Sequence, residues 1–329
     1  MEAPPPVTLT AFLHGYPPLW SMGGEMSTHR TLRAVPGSVV YTKTLEDYQF
    51  DGVSVRPATG TSFQCIKDDA RSAGATVLFG HSTLSTDTVR AARQLKLPSI
   101  LAVHAPRRFG ADLHRAKSSA TVRLYNTEAA RKDWHDPRGW VLHPPVGGPS
   151  DLPEGPGNAL TLTSSLKNKG AERVLALARR RWDQRFIIVE SPAHPTHGDP
   201  EFWHEADKLD NVEVWPRLHP DEMGKLWAET RVLLVPSRYE TYGMAAMEAA
   251  WHHIPSVHMD TPHVREGIGT AALLLKTTHL EELDHALTEV EIEHDVWAER
   301  AFHRAENLAQ READELALFA AGVAGLTPR

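Results

Sequence analysis

Two glutamates lie eight positions apart in the stretch SRYETYGMAAMEAA, residues 237–250: Glu240 and Glu248, on either side of Gly243. An apolar run at residues 232–236 comes directly before this stretch. A carboxylate at the mouth of a buried strand is costly unless it binds something. Carboxylates accept hydrogen bonds from hydroxyl groups, which ribose and hexoses carry in abundance. The pair therefore predicts a site for a hydroxyl-rich ligand, and two solvated glutamates beside a turn are the alternative.

The residues between the glutamates predict a second binding element. The Ala- and Met-rich segment after Tyr242 predicts a helix that begins near Gly243. The free N–H groups and positive dipole end of a helix favour a phosphate, and glycine lets the backbone approach it closely. In open parallel sheets, ligands bind beyond the carboxyl ends of the strands, where this stretch would lie.

The elements that must position this site alternate along the chain. Strands are predicted at 7–15, 38–43, 53–58, 76–82, 99–106 and 120–127, and again at 159–165, 185–191, 211–218, 231–237 and 254–260. Helical stretches lie between many of them, and a Pro- and Gly-rich segment at 143–158 predicts an interdomain linker. This order predicts an α/β fold of two Rossmann-like, doubly wound parallel-sheet domains, residues 1–147 and 148–329, that face each other across a cleft.

Composition is that of a soluble globular protein. The 329 residues are 41% hydrophobic and 23% charged, which suits two domains of ordinary size. The single cysteine, Cys65, excludes an intrachain disulfide and favours a reducing compartment. The sequence contains neither a signal-peptide pattern nor an apolar run of about 18 residues. We therefore expect a cytoplasmic protein with no stable membrane insertion.

The net charge of −7 is divided unevenly between the two halves. Residues 1–150 contain 17 Lys and Arg against 12 Asp and Glu, whereas the remainder contains 18 against 30. Eight of the basic residues fall within 104–140, and they include Arg107, Arg108 and Arg115. A basic rim suits a polyanionic or phosphorylated partner, and ordinary solvated surface arginines are the alternative.

The motif E-x7-E of Glu240 and Glu248, which follows Pro-Ser and encloses Tyr-Gly, resembles the signature of the retaining GT-B glycosyltransferases, specifically family 4. Other segments occur in the order of that family, from about residue 7 to 275. They are similar to its glycine loop and first helix, its strand that ends in histidine, its sixth strand with the following helix, and its Lys-Gly phosphate turn: GGEMSTHRTL (23–32), AVHAP (102–106), LYNTEAAR (124–131) and SLKNKGAERVLALA (165–178).

The resemblance implies a retaining, metal-independent transfer of a hexose, with glucose the default, from a nucleotide-diphosphate sugar to an acceptor hydroxyl. No bound cofactor is implied, and UDP-sugar is the expected co-substrate. Glu240 would bind the sugar hydroxyls, Glu248 the ribose, and Lys169 the leaving diphosphate, while His104 would lie beside the sugar. Further donor contacts are implied for the backbone of Tyr242, Gly243 and Met244 and for the glycine loop at Gly23 and Gly24.

The chain departs from the family pattern at Ser164, which stands five residues before Lys169 where the family has an arginine. Lys167 or Arg238 is the expected substitute. The acceptor is open: hydroxymethylated DNA, whose base would have to be flipped or unpaired, is one hypothesis for the basic rim. A lipid, a saccharide and a small molecule are others.

Two functions of other classes are kept as alternatives, a nucleotide-sugar epimerase of the same fold and a binding protein that has lost activity. A hydrolase triad and a nicotinamide site are not indicated, because the chain lacks G-x-S-x-G and a G-x-G-x-x-G after its first strand. The four histidines within 252–263 match no common zinc spacing, so no metal site is predicted.

Overall fold

The computed structural model describes residues 7–19, 23–104, 106–107, 111–148, 157–191 and 200–326. The chain folds as two compact units. The first extends to Pro145 and also includes the chain from Arg311 onward, and the second is Val146–Gln310. Most of the predicted linker, residues 149–156, lies outside the described residues.

The first unit is built on a sheet in the order β3-β4-β2-β1-β5-β6-β7-β8, in which β3 is antiparallel to β4 and the other pairings are parallel. Its strands are β1 (Leu9–Phe12), β2 (Val39–Thr42), β3 (Tyr48–Phe50), β4 (Val53–Pro57), β5 (Val77–Gly80), β6 (Ser99–Val103), β7 (Val122–Tyr125) and β8 (Trp140–Val141). Its helices are α1 (Gly23–Arg33), α2 (Phe63–Ser72), α3 (Ser85–Leu95), α4 (Ala111–Lys117) and α5 (Glu128–Asp133).

Helices cover both faces of this sheet, which explains why its central strands β1 and β5 are buried along their whole length. In β1, Leu9 and Ala11 belong to the core on one face, and Phe12 belongs to the core on the other. Successive side chains point to opposite faces of a strand, so a strand buried on both sides does not alternate between buried and exposed positions.

The second unit contains a parallel sheet in the order β11-β10-β9-β12-β13-β14. Its strands are β9 (Ala159–Leu162), β10 (Phe186–Val189), β11 (Val212–Trp215), β12 (Thr230–Val235), β13 (Ser256–Met259) and β14 (Leu273–Leu275). Its helices are α6 (Ala171–Arg180), α7 (Pro200–Ala206), α8 (Met223–Glu229), α9 (Met244–Ala250), α10 (Pro262–Glu266), α11 (Leu280–Ile292) and the first part of α12 (His294–Ala324). The prediction of two α/β units with parallel sheets is thus confirmed.

The end of α12 belongs to the first unit, whereas the sequence placed all of residues 148–329 in the second domain. Phe319 and Val323 are buried in the core of the first unit, and the Phe319 ring meets Trp140 edge-on at 6.5 Å. Glu315 accepts hydrogen bonds from the backbone N–H of His143 at 2.9 Å and pairs with its Nδ1 at 2.8 Å. The burial of these apolar side chains and the hydrogen bonds of Glu315 attach the end of α12 to the first unit. The contacts join distant parts of the chain, so no local sequence pattern reveals them.

Each sheet changes the direction of its strand order once near its middle, between β1 and β5 in the first unit and between β9 and β12 in the second. Crossover connections leave the two central strands toward opposite sides, so the loops at their carboxyl ends diverge and open a crevice. The predicted donor residues follow β9 and β12, at the crevice of the second unit. Within the described part of the chain, no helix has the length and apolar character needed to cross a bilayer.

Candidate functional site

The loops after β9 and β12 are joined at the crevice of the second unit. The backbone N–H of Arg238 donates to the carbonyl of Asn168 at 3.0 Å. Gly170 lies against Pro236 with a left-handed φ of +93°, and a Cβ at this position would stand 2.7 Å from the Pro236 carbonyl oxygen. Glycine is therefore required here both by the backbone conformation and by the close approach of the second loop.

Lys169 and Glu240, two of the three predicted catalytic residues, form an ion pair in this crevice. The Lys169 Nζ lies 2.9 Å from the Glu240 Oε2, although the residues are 71 positions apart. Lys169 ends the short 3₁₀ turn Lys167–Lys169, and Glu240 lies in the loop after β12. The other carboxylate oxygen of Glu240 accepts the backbone N–H of Thr241 at 3.2 Å. The loops thus bring a cation and a carboxylate together at the crevice, and the roles given to Lys169 and Glu240 stay predictions.

The helix that follows Glu240 begins where the sequence indicated. Gly243 precedes α9 in a left-handed conformation with φ +91°, which an L side chain rarely adopts. Tyr242 and Gly243 are buried, whereas Met244 and Glu248 are half-buried. Met244 and Glu248 are four residues apart on α9, so they lie on the same face of the helix. Ala246 and Met247 face the core and anchor the helix against the sheet.

His258 was missed by the sequence as part of this site. It lies on β13 and is fully buried, and its Nε2 pairs with the Ser256 Oγ at 3.1 Å. Its Cε1 is 3.6 Å from the position that a Cβ on Gly243 would occupy. Burial lowers the pKa of His258 to about 4, although the nearby Glu240 carboxylate opposes this shift. A neutral imidazole therefore supports the turn that carries Glu240 and Gly243.

The two residues predicted to replace the missing arginine differ in their surroundings. Lys167 is paired with Glu172 at 2.6 Å on the surface. The Arg238 side chain is exposed and forms no ion pair with any described residue. Ser164 serves its own turn, because its Oγ accepts the backbone N–H of Leu166 at 3.4 Å. Arg238 is thus the better placed of the two to meet an anion.

The first unit holds the predicted His104 and glycine loop. His104 follows β6, and its ring lies 5.0 Å from that of His81, which follows β5. Burial lowers the pKa of His104 to about 4, and burial together with His104 lowers the pKa of His81 to about 3. Helix α1 begins at Gly23, and a Cβ on Gly24 would stand 3.7 Å from the His81 Nε2. The first turn of α1, with Gly24, and the two histidines therefore lie at the carboxyl edge of this sheet, and both imidazoles are neutral.

Much of the predicted basic rim is neutralised within the unit. Asp136 pairs with Lys117 and with Arg123, and Glu128 pairs with Arg131 and Lys132. The side chains of Arg107 and Arg115 are exposed, while Arg108 lies outside the described residues. The sequence could count these charges but could not reveal their partners, so the basic face is smaller than the composition suggests.

The clustered histidines of residues 252–263 have separate surroundings. His253 stacks on Phe302 with ring centroids 4.1 Å apart, His252 lies near the Trp227 ring, and His258 supports Gly243. Among the residues that the structure describes, no group of three or more His, Cys, Asp or Glu is arranged to hold a metal ion.

Part of the chain matches a known protein family. Residues 159–290, all within the second unit, match the family model described as Glycosyl transferases group 1. No curated protein sequence matches the chain.

Solved structures of similar fold cover nearly the whole chain. Anabaena HepE in complex with UDP-glucose has a TM-score of 0.76 at 13% identity, over 96% of this chain and 98% of that one. Sucrose-phosphate synthase from Thermosynechococcus elongatus has a TM-score of 0.73 at 12% identity, over 97% and 98%. WaaG, a glycosyltransferase involved in lipopolysaccharide biosynthesis, has a TM-score of 0.70 at 17% identity, over 96% and 100%. These likenesses confirm the predicted GT-B fold, and with the family match they support a glycosyltransferase of GT-B type.

Proposed function

We propose that this protein is a retaining, metal-independent glycosyltransferase that moves a hexose, glucose by default, from a UDP-sugar to an acceptor hydroxyl. The observation that carries the proposal is the Lys169–Glu240 pair at the crevice of the second unit, 2.9 Å between Nζ and Oε2. The family match over residues 159–290 supports the reaction class, and the UDP-glucose bound by HepE supports the choice of donor.

The pair explains how the donor site would change as the donor enters. Glu240 would exchange Lys169 for the hydroxyls of the sugar, and Lys169 would turn to the diphosphate. The bond between the sugar C1 and the phosphate oxygen then breaks, and its electrons stay on the diphosphate. Stabilising that developing negative charge is the largest catalytic contribution expected of such a site. Lys169 becomes available for this role only when Glu240 has found another partner.

Retention would follow from attack on the same face of the sugar that the diphosphate leaves. The acceptor oxygen forms the new bond to C1, and its proton passes to the departing phosphate oxygen. No protein base is then required. Glu248 would bind the ribose hydroxyls, and the backbone of Tyr242, Gly243 and Met244 the sugar and diphosphate. The donor contacts of His104, Gly23 and Gly24 stay predictions of the resemblance.

For the acceptor, the exposed Arg107 and Arg115 support an anionic molecule, of which hydroxymethylated DNA is the most specific case. A phosphorylated saccharide, an anionic lipid headgroup or a small phosphorylated molecule has the same chemistry. The family match over 159–290 favours transfer over epimerisation. An epimerase would convert the donor without any acceptor, which separates the two functions. A UDP-sugar substrate and the single Cys65 suit a cytoplasmic enzyme.

The first test is thermal unfolding of the full chain with UDP, GDP, ADP and dTDP, each alone and as its sugar conjugate. A ligand at about 100 times its Kd adds roughly 2.7 kcal/mol to the free energy of unfolding, which is readily seen. We expect stabilisation by UDP and UDP-glucose. The absence of any shift would overturn the proposed donor site and favour a binding protein that has lost activity.

A further inference from the structure

Arg173 is the third residue of α6, close to the crevice, and forms no ion pair with any residue that the structure describes. Its Nη1 donates to the Met259 Sδ, a weak acceptor, at 3.6 Å. Its Nη2 is buried and has no hydrogen-bond partner among the described residues. Arg173 as a whole is half-buried, and a partly buried guanidinium without a carboxylate is unfavourable, which points to a role other than stability.

A second arginine acts on the same region. Arg238, in the loop after β12, is exposed and forms no ion pair within the part of the chain that the structure describes. The pKa of Arg173 is lowered first by burial and then by the positive charge of Arg238. Gly170, three residues before Arg173, packs against Pro236, and the backbone N–H of Arg238 donates to the Asn168 carbonyl, so the two arginines flank the same junction of loops. An anion beside them would relieve the repulsion between their charges.

The neighbouring lysines do not share this imbalance. Lys169 is neutralised by Glu240, and Lys167 by Glu172. The positive charge left over at this edge of the sheet is therefore carried by the two arginines. Ser237, immediately before Arg238, is 1% exposed, and its Oγ also lacks a hydrogen-bond partner among the described residues. The buried Ser237 hydroxyl and the buried Nη2 of Arg173 are both donors that an anion would satisfy.

We propose that Arg173 and Arg238, with the Ser237 hydroxyl, form the diphosphate subsite of the donor site and replace the arginine that is absent at Ser164. The inference rests on the proposed function, because the diphosphate is that of the nucleotide sugar. The replacement comes from the helix after β9 and the loop after β12 rather than from the loop after β9. It also explains why α6 carries an arginine against Met259, where an apolar residue would pack better.

The subsite is tested with inorganic pyrophosphate, which carries neither nucleoside nor sugar. Pyrophosphate binding to the full chain is measured by calorimetry for the wild type, Arg173→Met, Arg173→Lys and Arg238→Met. The matched control is Arg179→Met, on the same helix, where the arginine pairs with Glu205 at the surface. Loss of hydrogen bonds to a charged group predicts a Kd raised on the order of 10- to 100-fold in Arg173→Met. Arg173→Lys keeps the charge but loses the forked arrangement of donors, so its Kd for pyrophosphate should lie between those of the wild type and Arg173→Met.

A second readout separates binding from a structural role. Removing an uncompensated buried charge should leave the Tm of the ligand-free chain unchanged or raised in Arg173→Met, while pyrophosphate binding weakens. A lowered Tm with unchanged pyrophosphate affinity would overturn the inference, because Arg173 would then only support the fold. An equal loss of pyrophosphate affinity in Arg179→Met would also overturn the inference, because the affinity would then depend on the net charge of the protein and not on the position of Arg173.

The same variants distinguish this inference from the proposed function. If pyrophosphate binding depends on Arg173 but no nucleotide sugar stabilises the wild type, the subsite stands and the proposed donor is wrong. If UDP-glucose binds wild type and Arg173→Met equally well, the proposed function stands and the subsite is wrong.

Discussion

Glu240 is held by Lys169 across two loops, with the carboxylate Oε2 2.9 Å from the ammonium Nζ. The loops follow neighbouring central strands, β9 and β12, whose connections diverge at the crevice. Lys169 and Glu240 neutralise each other, because a partly buried charge without a partner is unfavourable. The pair thus holds both side chains in place, and in the proposed function a donor would offer hydroxyls to Glu240 and phosphates to Lys169.

Glu240→Gln should abolish sugar transfer while leaving the fold intact. The amide cannot accept hydrogen bonds at both positions as the carboxylate does, and the loss of such contacts to a transition state commonly lowers kcat by about 10²- to 10³-fold. The rate of UDP-glucose consumption and the Tm are measured together. Glu213→Gln, which disturbs a surface pair with Arg185, is the control. Full activity in Glu240→Gln would contradict the role given to this residue.

Gly243→Ala should weaken UDP binding and lower stability. The residue has φ +91°, and a left-handed conformation costs an L residue roughly 1–2 kcal/mol. Gly37→Ala in the first unit is a matched control, because Gly37 has φ +81° and nothing within 4 Å of an added Cβ. Both variants should have a lower Tm than the wild type, but only Gly243→Ala should have a higher Kd for UDP. Equal nucleotide affinity in the two variants would separate the α9 turn from the donor site.

Stability should fall as the pH is lowered from about 6.5, the ordinary histidine pKa, toward about 4. Burial lowers the pKa of His258 and of His104 to about 4 in the folded chain, so the unfolded chain binds more protons throughout this window. The free energy of unfolding therefore decreases with acid, by an upper limit of roughly 3 kcal/mol for each histidine. Denaturant midpoints across the window measure this slope.

The variant His258→Gln isolates the contribution of His258. It should lower the number of protons taken up on unfolding by up to about one, and the slope of the free energy of unfolding against pH should fall accordingly. His285→Gln, on the exposed side of α11, is the control and should keep the wild-type slope. An unchanged slope in His258→Gln would mean that this imidazole is not held neutral beneath Gly243.

If hydroxymethylated DNA is the acceptor, its binding should weaken steeply with salt, because phosphate contacts release counterions. Replacing both Arg107 and Arg115 by Gln should reduce the slope of log K against log salt by about 2. Lys132→Gln, which removes a charge already shared with Glu128, is the control. Binding that does not respond to salt, or no binding at all, would contradict DNA as the acceptor. A smaller phosphorylated acceptor would then be the remaining hypothesis.

The sequence predicted the central strands because they depend on local signals, whereas the roles of the residues at the crevice stay predictions. Apolar runs such as residues 232–235 predict buried strands, and the spacing of Glu240 and Glu248 marks the loop and helix that follow. The short strands β3, β8 and β14 were missed, because two or three residues at the edge of a sheet carry too little pattern to recognise.

The remaining differences come from contacts between distant parts of the chain. The return of α12 to the first unit, the pairing of Lys169 with Glu240 and the neutralisation of Arg123 by Asp136 each join residues that no local spacing connects. Arg173 and His258 resemble ordinary helix and strand positions in the sequence. Only the burial of their unpartnered nitrogen atoms distinguishes them.

The most direct measurement is proton NMR of UDP-glucose incubated with the protein without an added acceptor, so that water slowly takes the sugar. The account predicts release of UDP together with glucose that appears first as the α anomer, and loss of this reaction in Glu240→Gln. Appearance of the β anomer first would contradict retention. Conversion of UDP-glucose to another UDP-sugar would establish an epimerase instead, and an unchanged donor with no UDP-induced stabilisation would contradict the account at its centre.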